Sequence, residues 1–110
     1  MIQPYIFDGA VLTAALAQCG TSVPNLTKRV IVAAALVNPT AAPVAVSVHL
    51  VPSSKTAGSD NVVINARTLG PGETYFCPEL VNQGINAAGS VFAVGLGATF
   101  RYTAKDIING

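Results

Sequence analysis

The sequence predicts an all-β chain folded as a single compact antiparallel β-sandwich, jelly-roll or immunoglobulin-like, of about seven or eight short strands. Three observations predict it. Short β-branched runs recur at regular intervals. Turn-forming residues separate them, as at Asn38-Pro39, Pro52 and Gly70-Pro71-Gly72. Apolar residues reach 51% of the 110 while charged residues reach only 10%, against ~25% in an average soluble protein. A disordered chain shows the opposite balance. No apolar run approaches the ~18 residues of a membrane span; the longest, Val30 to Val37, stops at Asn38 and Pro39. This length supports one domain, residues 1–110, around one modest core, with extended termini at 1–8 and 105–110.

The first strand is expected near Val11 to Ala17. Arg29 to Val37 is β-branched at its start and continuously apolar, as for a strand in the middle of a sandwich. Residues 38–43 form a loop with proline at both ends, where the ring fixes φ. Val44 to Val51 is the clearest strand: Val44, Val46, Val48 and Leu50 fall on one face, and Ala45, Ser47 and His49 on the other. Pro52 ends it, because proline donates nothing to a ladder. A polar loop, Ser53 to Asp60, leads to Asn61 to Thr68, whose alternation is less clean. Residues 69–74 read as a type II turn, with Pro71 presetting the first corner and Gly72 supplying a positive φ.

Thr74 to Cys77 is a short strand in which Tyr75 and Phe76 point to opposite faces, one into the core and one outward. Pro78 to Gly84 is compatible with one helical turn. Ser90 to Leu96 and Thr99 to Thr103 complete the set, with Gly95 and Gly97 at the bend between them. Phe100 and Tyr102 share a face. The predicted core is Val46, Val48, Leu50, Ile64 and Phe92, with Val30 or Ile31.

Chemistry needs convergent polar groups, and the pattern offers none. His49 is the single imidazole, on the polar phase of its strand. Asp8, Asp60, Glu73, Glu79 and Asp106 are scattered through turns and ends; Glu73 is expected to bind backbone amides of its turn, and Glu79 to stabilise the start of the helical turn. Gly70-Pro71-Gly72 lacks the following helix and lysine of a phosphate loop. Cys19 and Cys77 are two ligands short of a zinc site, and no required disulfide is expected. No catalytic residue, metal site or cofactor is therefore predicted. The net charge is +1 and only Lys28 and Arg29 adjoin, so no basic patch points to nucleic acid. No membrane partner is expected. Residues 16–19 resemble a lipoprotein cleavage box only faintly, without a preceding Lys or Arg. The expected compartment is therefore the cytoplasm or a particle assembled there. Low charge suits a surface that is covered in use. His49, Tyr75 and Tyr102 are the candidate interface residues.

From Val44 to Ser53, then Thr56 to Gly58 and Asn61, Ala66-Arg67, Leu69 to Tyr75 and Cys77 to Val81, the chain resembles small proteins in the virion gene clusters of tailed bacteriophages. The resemblance runs over about residues 29–97. It implies a compact β-sandwich virion component without catalytic residues: a decoration or cement protein of the head, or a collar or tail component. The implied localisation is the virion, assembled in the host cytoplasm. The implied partners are further copies of itself and other virion proteins such as the major capsid protein. A trimer is favoured by analogy with three-fold positions on capsids. Two alternatives from other classes are a small ligand- or glycan-binding module and a secreted bacterial surface domain. The former needs an exposed aromatic platform, and this chain has no tryptophan.

Overall fold

The computed structural model describes residues 2–20 and 22–108. Its strands are β1 (Ile2–Val11), β2 (Ala17–Cys19), β3 (Thr27–Val37), β4 (Val44–Val51), β5 (Val62–Leu69), β6 (Thr74–Tyr75), β7 (Gly84–Ile85), β8 (Ser90–Val94) and β9 (Thr99–Ile108). No helix occurs among the described residues.

The strands form two sheets. The first runs β1-β9-β3-β6, with β7 also on β3; the second runs β2-β8-β4-β5. All pairings are antiparallel. β6 pairs with the far end of β3, at Leu36 and Val37, and β7 with its near end, at Arg29 and Val30. The two short pieces act as one interrupted strand on that edge. Merging them gives β1-β9-β3-β6/β7 over β2-β8-β4-β5, the strand order of a jelly roll. Apart from the β4–β5 hairpin and the β6–β7 link, each successive strand crosses to the other sheet, so the loops gather at the two ends of the sandwich.

The expected strand at Val11 to Ala17 is instead a bend: β1 ends at Val11, residues 12–16 turn between sheets, and β2 begins at Ala17. Residues 2–8 and 105–108 of the two terminal segments lie in paired strands. β1 starts at Ile2 and pairs along β9, which continues to Ile108; Met1, Asn109 and Gly110 lie outside the described residues. Between Pro78 and Gly84 two successive hydrogen-bonded turns replace the expected helical turn, with Leu80 N donating to Cys77 O and Gln83 N to Leu80 O. The β5–β6 turn is as expected: Gly72 has φ +74°, Glu73 N donates to Gly70 O, and Gly70 N donates to Glu73 Oε1 at 2.8 Å.

Alternation sets the core. In β3, Thr27, Arg29 and Ile31 face inward. The register slips between Ile31 and Ala33, leaving Val32 as an extra residue. The inward set then becomes Ala34 and Leu36, followed by Asn38 just past the strand. β3 is thus central in its sheet, but only one of its faces is buried, and its continuous apolar run leaves an apolar outer face. Val46, Val48, Ile64 and Ile31 are buried as predicted.

Leu50 and Phe92 are not. β4 meets β8 without a slip, so Leu50, opposite Val91, keeps the inward phase and packs against the core but stays half-buried, while Val51, opposite Ser90, is buried at the end of the strand. Directly paired residues share a face of the sheet. Val48 pairs with Ala93 and is buried, so Ala93 faces inward and Phe92, paired with His49, faces outward. Val91 and Ala93 take the core positions of β8.

Two buried polar groups hold the inward faces of the first sheet. Arg29 and Asp106 are direct cross-strand partners and form a bidentate ion pair, Nε to Oδ1 at 2.8 Å and Nη2 to Oδ2 at 3.0 Å. Asn38 has no exposed surface. Its Nδ2 donates to the carbonyls of Ala42, Leu69 and Gly70, at 2.8, 3.0 and 3.2 Å. Its Oδ1 accepts from the Thr40 amide at 3.0 Å and hydroxyl at 2.6 Å. One amide thereby ties the β3–β4 loop to the end of β5 and its turn.

Candidate interaction surfaces

The three residues singled out from the sequence lie in three different places. Tyr102 is buried within the sandwich, 5.5 Å from Phe100 between ring centroids, and its hydroxyl donates to Cys19 O at 3.1 Å. It ties β9 to β2 across the sandwich and presents nothing to a partner. The cause is register: Phe100, Tyr102, Ala104 and Asp106 form the inward phase of β9. His49 is half-buried on the outer face of the second sheet, with Nδ1 3.0 Å from Asn61 Oδ1. Asn61 Oδ1 also accepts from Gly58 N at 3.1 Å, and its Nδ2 donates to Thr56 O at 2.9 Å. His49 thus belongs to the hydrogen bonding that shapes the β4–β5 loop.

Tyr75 closes one flank between the sheets. The Arg67 guanidinium of β5 lies 3.6 Å from its ring centroid, a cation–π geometry. Its hydroxyl donates to Glu79 Oε1 at 2.6 Å. That hydrogen bond, with some desolvation and the Glu79 charge, raises the phenol above its ordinary value. Behind it, Cys77 is buried, and burial pushes its thiol up to about 12. Cys19 is buried too, and no disulfide joins it to Cys77. The companion of Tyr75 in the sequence, Phe76, is 72% exposed. Among the described residues no group of three or more His, Cys, Asp or Glu is placed to hold a metal ion.

A surface that sequence reasoning did not single out lies at one end of the sandwich. The β1–β2, β3–β4, β5–β6 and β8–β9 connections meet there. Leu12 N donates to Ala98 O, Gly95 N to Thr13 O, Gly97 N to Leu12 O, Asn38 N to Glu73 O and Gly72 N to Asn38 O. Val11 is 69% exposed, Leu96 67% and Leu16 41%. Leu96 borders an open depression of about 470 Å³ with Thr40, Ala42, Pro43, Val44, Ala45 and Gly97. The one charged residue in these loops is Glu73, whose carboxylate is engaged with its own turn. At the opposite end, the β4–β5 loop carries Lys55 and Asp60, both exposed, among serines and threonine. The available signal in the sequence was loops such as Ala41-Ala42-Pro43 and Gly95-Leu96-Gly97 that contain no charge.

No protein-family model, curated protein or solved structure matches this chain.

Proposed function

We propose that this protein is a non-enzymatic structural subunit of a tailed-bacteriophage virion. It would serve as a head decoration or cement protein, or as a collar or tail component, and act by packing against copies of itself and against larger virion proteins. The observation that carries the reading is the apolar loop end. Val11, Leu16 and Leu96 are exposed on contiguous loops that hold no free charge. Isolated exposed leucines need no explanation, whereas a grouped apolar patch marks an interaction surface. The jelly roll adds support by analogy, since viral capsid proteins use it widely. The resemblance over residues 29–97 points the same way.

The reading implies that the chain self-associates, with a trimer expected from three-fold positions on capsids. Sedimentation of the purified chain at micromolar concentration tests this. A Leu96→Asp variant is expected to shift the distribution to monomer while its thermal melt stays unchanged. Mass spectrometry of purified particles carrying this gene is expected to find the chain as a stoichiometric component. Its absence from particles, together with a strictly monomeric wild type, refutes the proposal.

A further inference from the structure

The outer face of the first sheet differs from the loop end in chemistry. Its described charged side chains are Lys28 on β3 and Arg101 and Lys105 on β9, all cationic. None of the three makes an ion pair or side-chain hydrogen bond among the described residues. Their placement follows from register. Arg101 pairs with Gly9 and packs across it, with Cγ 3.1 Å from where a Cβ would stand. Lys28 lies across Gly84 of β7 in the same way, with Cε 2.6 Å from the equivalent point. Lys105 pairs with Val30, diagonal to Lys28.

Beside Arg101 runs an open groove of about 300 Å³, lined by residues 33–35 of β3, Phe76 and residues 101–103 of β9; Lys105 follows two residues beyond Thr103 on the same face. The floor is low because β3 presents two alanines outward there, one residue past its bulge. Phe76 forms one wall and Arg101 the other.

We propose that this face docks an extended acidic segment of a partner protein carrying one aromatic side chain between two carboxylates. This surface is separate from the loop end and goes beyond the packing role proposed above. The charge pattern selects the occupant. A second copy stacked on the same face would bring three unneutralised cations against three more, whereas an acidic segment neutralises them. The spacing selects its form. Arg101 and Lys105 are four residues apart on β9, about 13 Å at ~3.3 Å per residue. Residues i and i+4 of an extended segment span that distance on one side, and residue i+2 falls between them, over the alanine floor and beside Phe76. Arg101 offers a planar fork for one carboxylate, Lys105 and Lys28 receive the other, and Phe76 supplies the apolar contact.

The test uses a fluorescent peptide with the core Glu-Ser-Phe-Ser-Glu, flanked by Gly-Ser, titrated with the whole protein and read by anisotropy. Control peptides replace both Glu by Gln, or Phe by Ser. The Glu peptide is expected to bind at least tenfold more tightly than either control and to weaken steeply between 50 and 500 mM salt, about as expected of exposed charges. Arg101→Glu and Phe76→Ala are each expected to lower affinity at least fivefold. Both side chains are exposed, and unchanged melts confirm that the variants fold; Lys105→Glu gives a second charge reversal should either melt shift. Equal binding of the Glu and Gln peptides overturns the proposal, as does affinity indifferent to all three variants. Tighter binding of a single-stranded oligonucleotide than of the peptide, lost in the same variants, also overturns it in favour of a nucleic-acid face.

Discussion

Replacing Asn38 by alanine tests how the apolar loop end is held in shape. The side chain is fully buried and joins three stretches of chain: Thr40 to Ala42, Leu69 and Gly70. Alanine keeps both backbone bonds, Asn38 N to Glu73 O at 2.9 Å and Gly72 N to Asn38 O at 2.7 Å. It removes every side-chain bond. Each neutral hydrogen bond contributes about 1 kcal/mol net, and a buried carbonyl left without a donor costs about 1–3 kcal/mol. The Leu69 carbonyl is bonded in a buried setting, while the Ala42 and Gly70 carbonyls reach some water. The expected cost is therefore about 3 kcal/mol, against a total stability of roughly 5–15 kcal/mol for a domain. For a chain of this length that lowers the melting temperature by about 10 °C or more.

Urea denaturation at pH 7 measures it, and Asn38→Asp sharpens it. The carboxylate retains an acceptor for Thr40 but turns acceptors toward three carbonyls, so Asn38→Asp is expected to be at least as damaging as alanine. Burial and the facing carbonyls raise that carboxyl's pKa in the folded state. A raised folded pKa means stability present below the unfolded value, about 3.9, and lost as pH rises through the folded value. The aspartate variant is therefore expected to recover relative to wild type at acid pH, while the alanine variant does not. A loss below about 1 kcal/mol for alanine, typical of a surface site, refutes the argument that this amide secures the loops.

Further outcomes follow from the same structure. Asp106→Asn leaves Arg29 buried beside a neutral partner and is expected to cost about 3–5 kcal/mol, whereas a joint replacement of Arg29 and Asp106 by methionine and leucine recovers most of it; chemical denaturation of both checks this. Gly89→Ala places a Cβ 2.5 Å from Ile85 Cγ2, 3.0 Å from Asn86 O and 3.1 Å from Val51 O, so its melt is expected to drop, with a cost of about 1–3 kcal/mol for overpacking. Val48→Ala is expected to cost about 1.5–3 kcal/mol and His49→Ala more than an ordinary surface change only through its Asn61 bond, about 0.5–1.5 kcal/mol; a reversed order in denaturant titration sinks the strand phase. With its thiol pushed up to about 12 and buried, Cys77 is expected to resist iodoacetamide at pH 8 in the folded protein and to react at once in denaturant.

Much of this fold is legible in the sequence because one face of each strand is buried and period-2 alternation records which. Val46, Val48 and Ile64 were readable for that reason, as was the type II turn at Pro71 and Gly72. What alternation does not record is a bulge. A single extra residue exchanges the two faces downstream, as Val32 does in β3, where Ala34 and Leu36 turn inward; Leu50 keeps the core phase that alternation assigns it but is only half-buried. Phe92 failed for a different reason. In β8 both phases are apolar, so size favoured the aromatic, and only the pairing of Ala93 with buried Val48 decides between them. Tyr102, a candidate interface residue in the sequence, has a partner for its hydroxyl inside the sandwich. That partner is Cys19 O, a carbonyl 83 residues away in sequence that only the packing of the sheets brings near. Asn38 read as a strand terminator because Asn-Pro is a turn signal, and its side-chain bonds to Leu69 and Gly70 come from topology.

The scarcity of charge acquires a pattern once each charge is placed. Arg29 and Asp106 neutralise each other inside the sandwich. Arg67 and Glu79 hold Tyr75 at the flank, and Glu73 fastens a turn. The exposed groups left on the described surface divide between the Lys55 and Asp60 loop at one end and the three cations of the first sheet. The other end has none to spare. A protein that acts alone in solution gains from mixing charges over its whole surface. This chain instead carries an apolar end, a polar end and a cationic face, which give it a direction. A subunit seated in an assembly needs such a direction, because the same contacts must recur in the same orientation in every copy. The low charge and the segregated surfaces are thus two aspects of one arrangement, and they support the packing role through where the charges sit more than through how few there are.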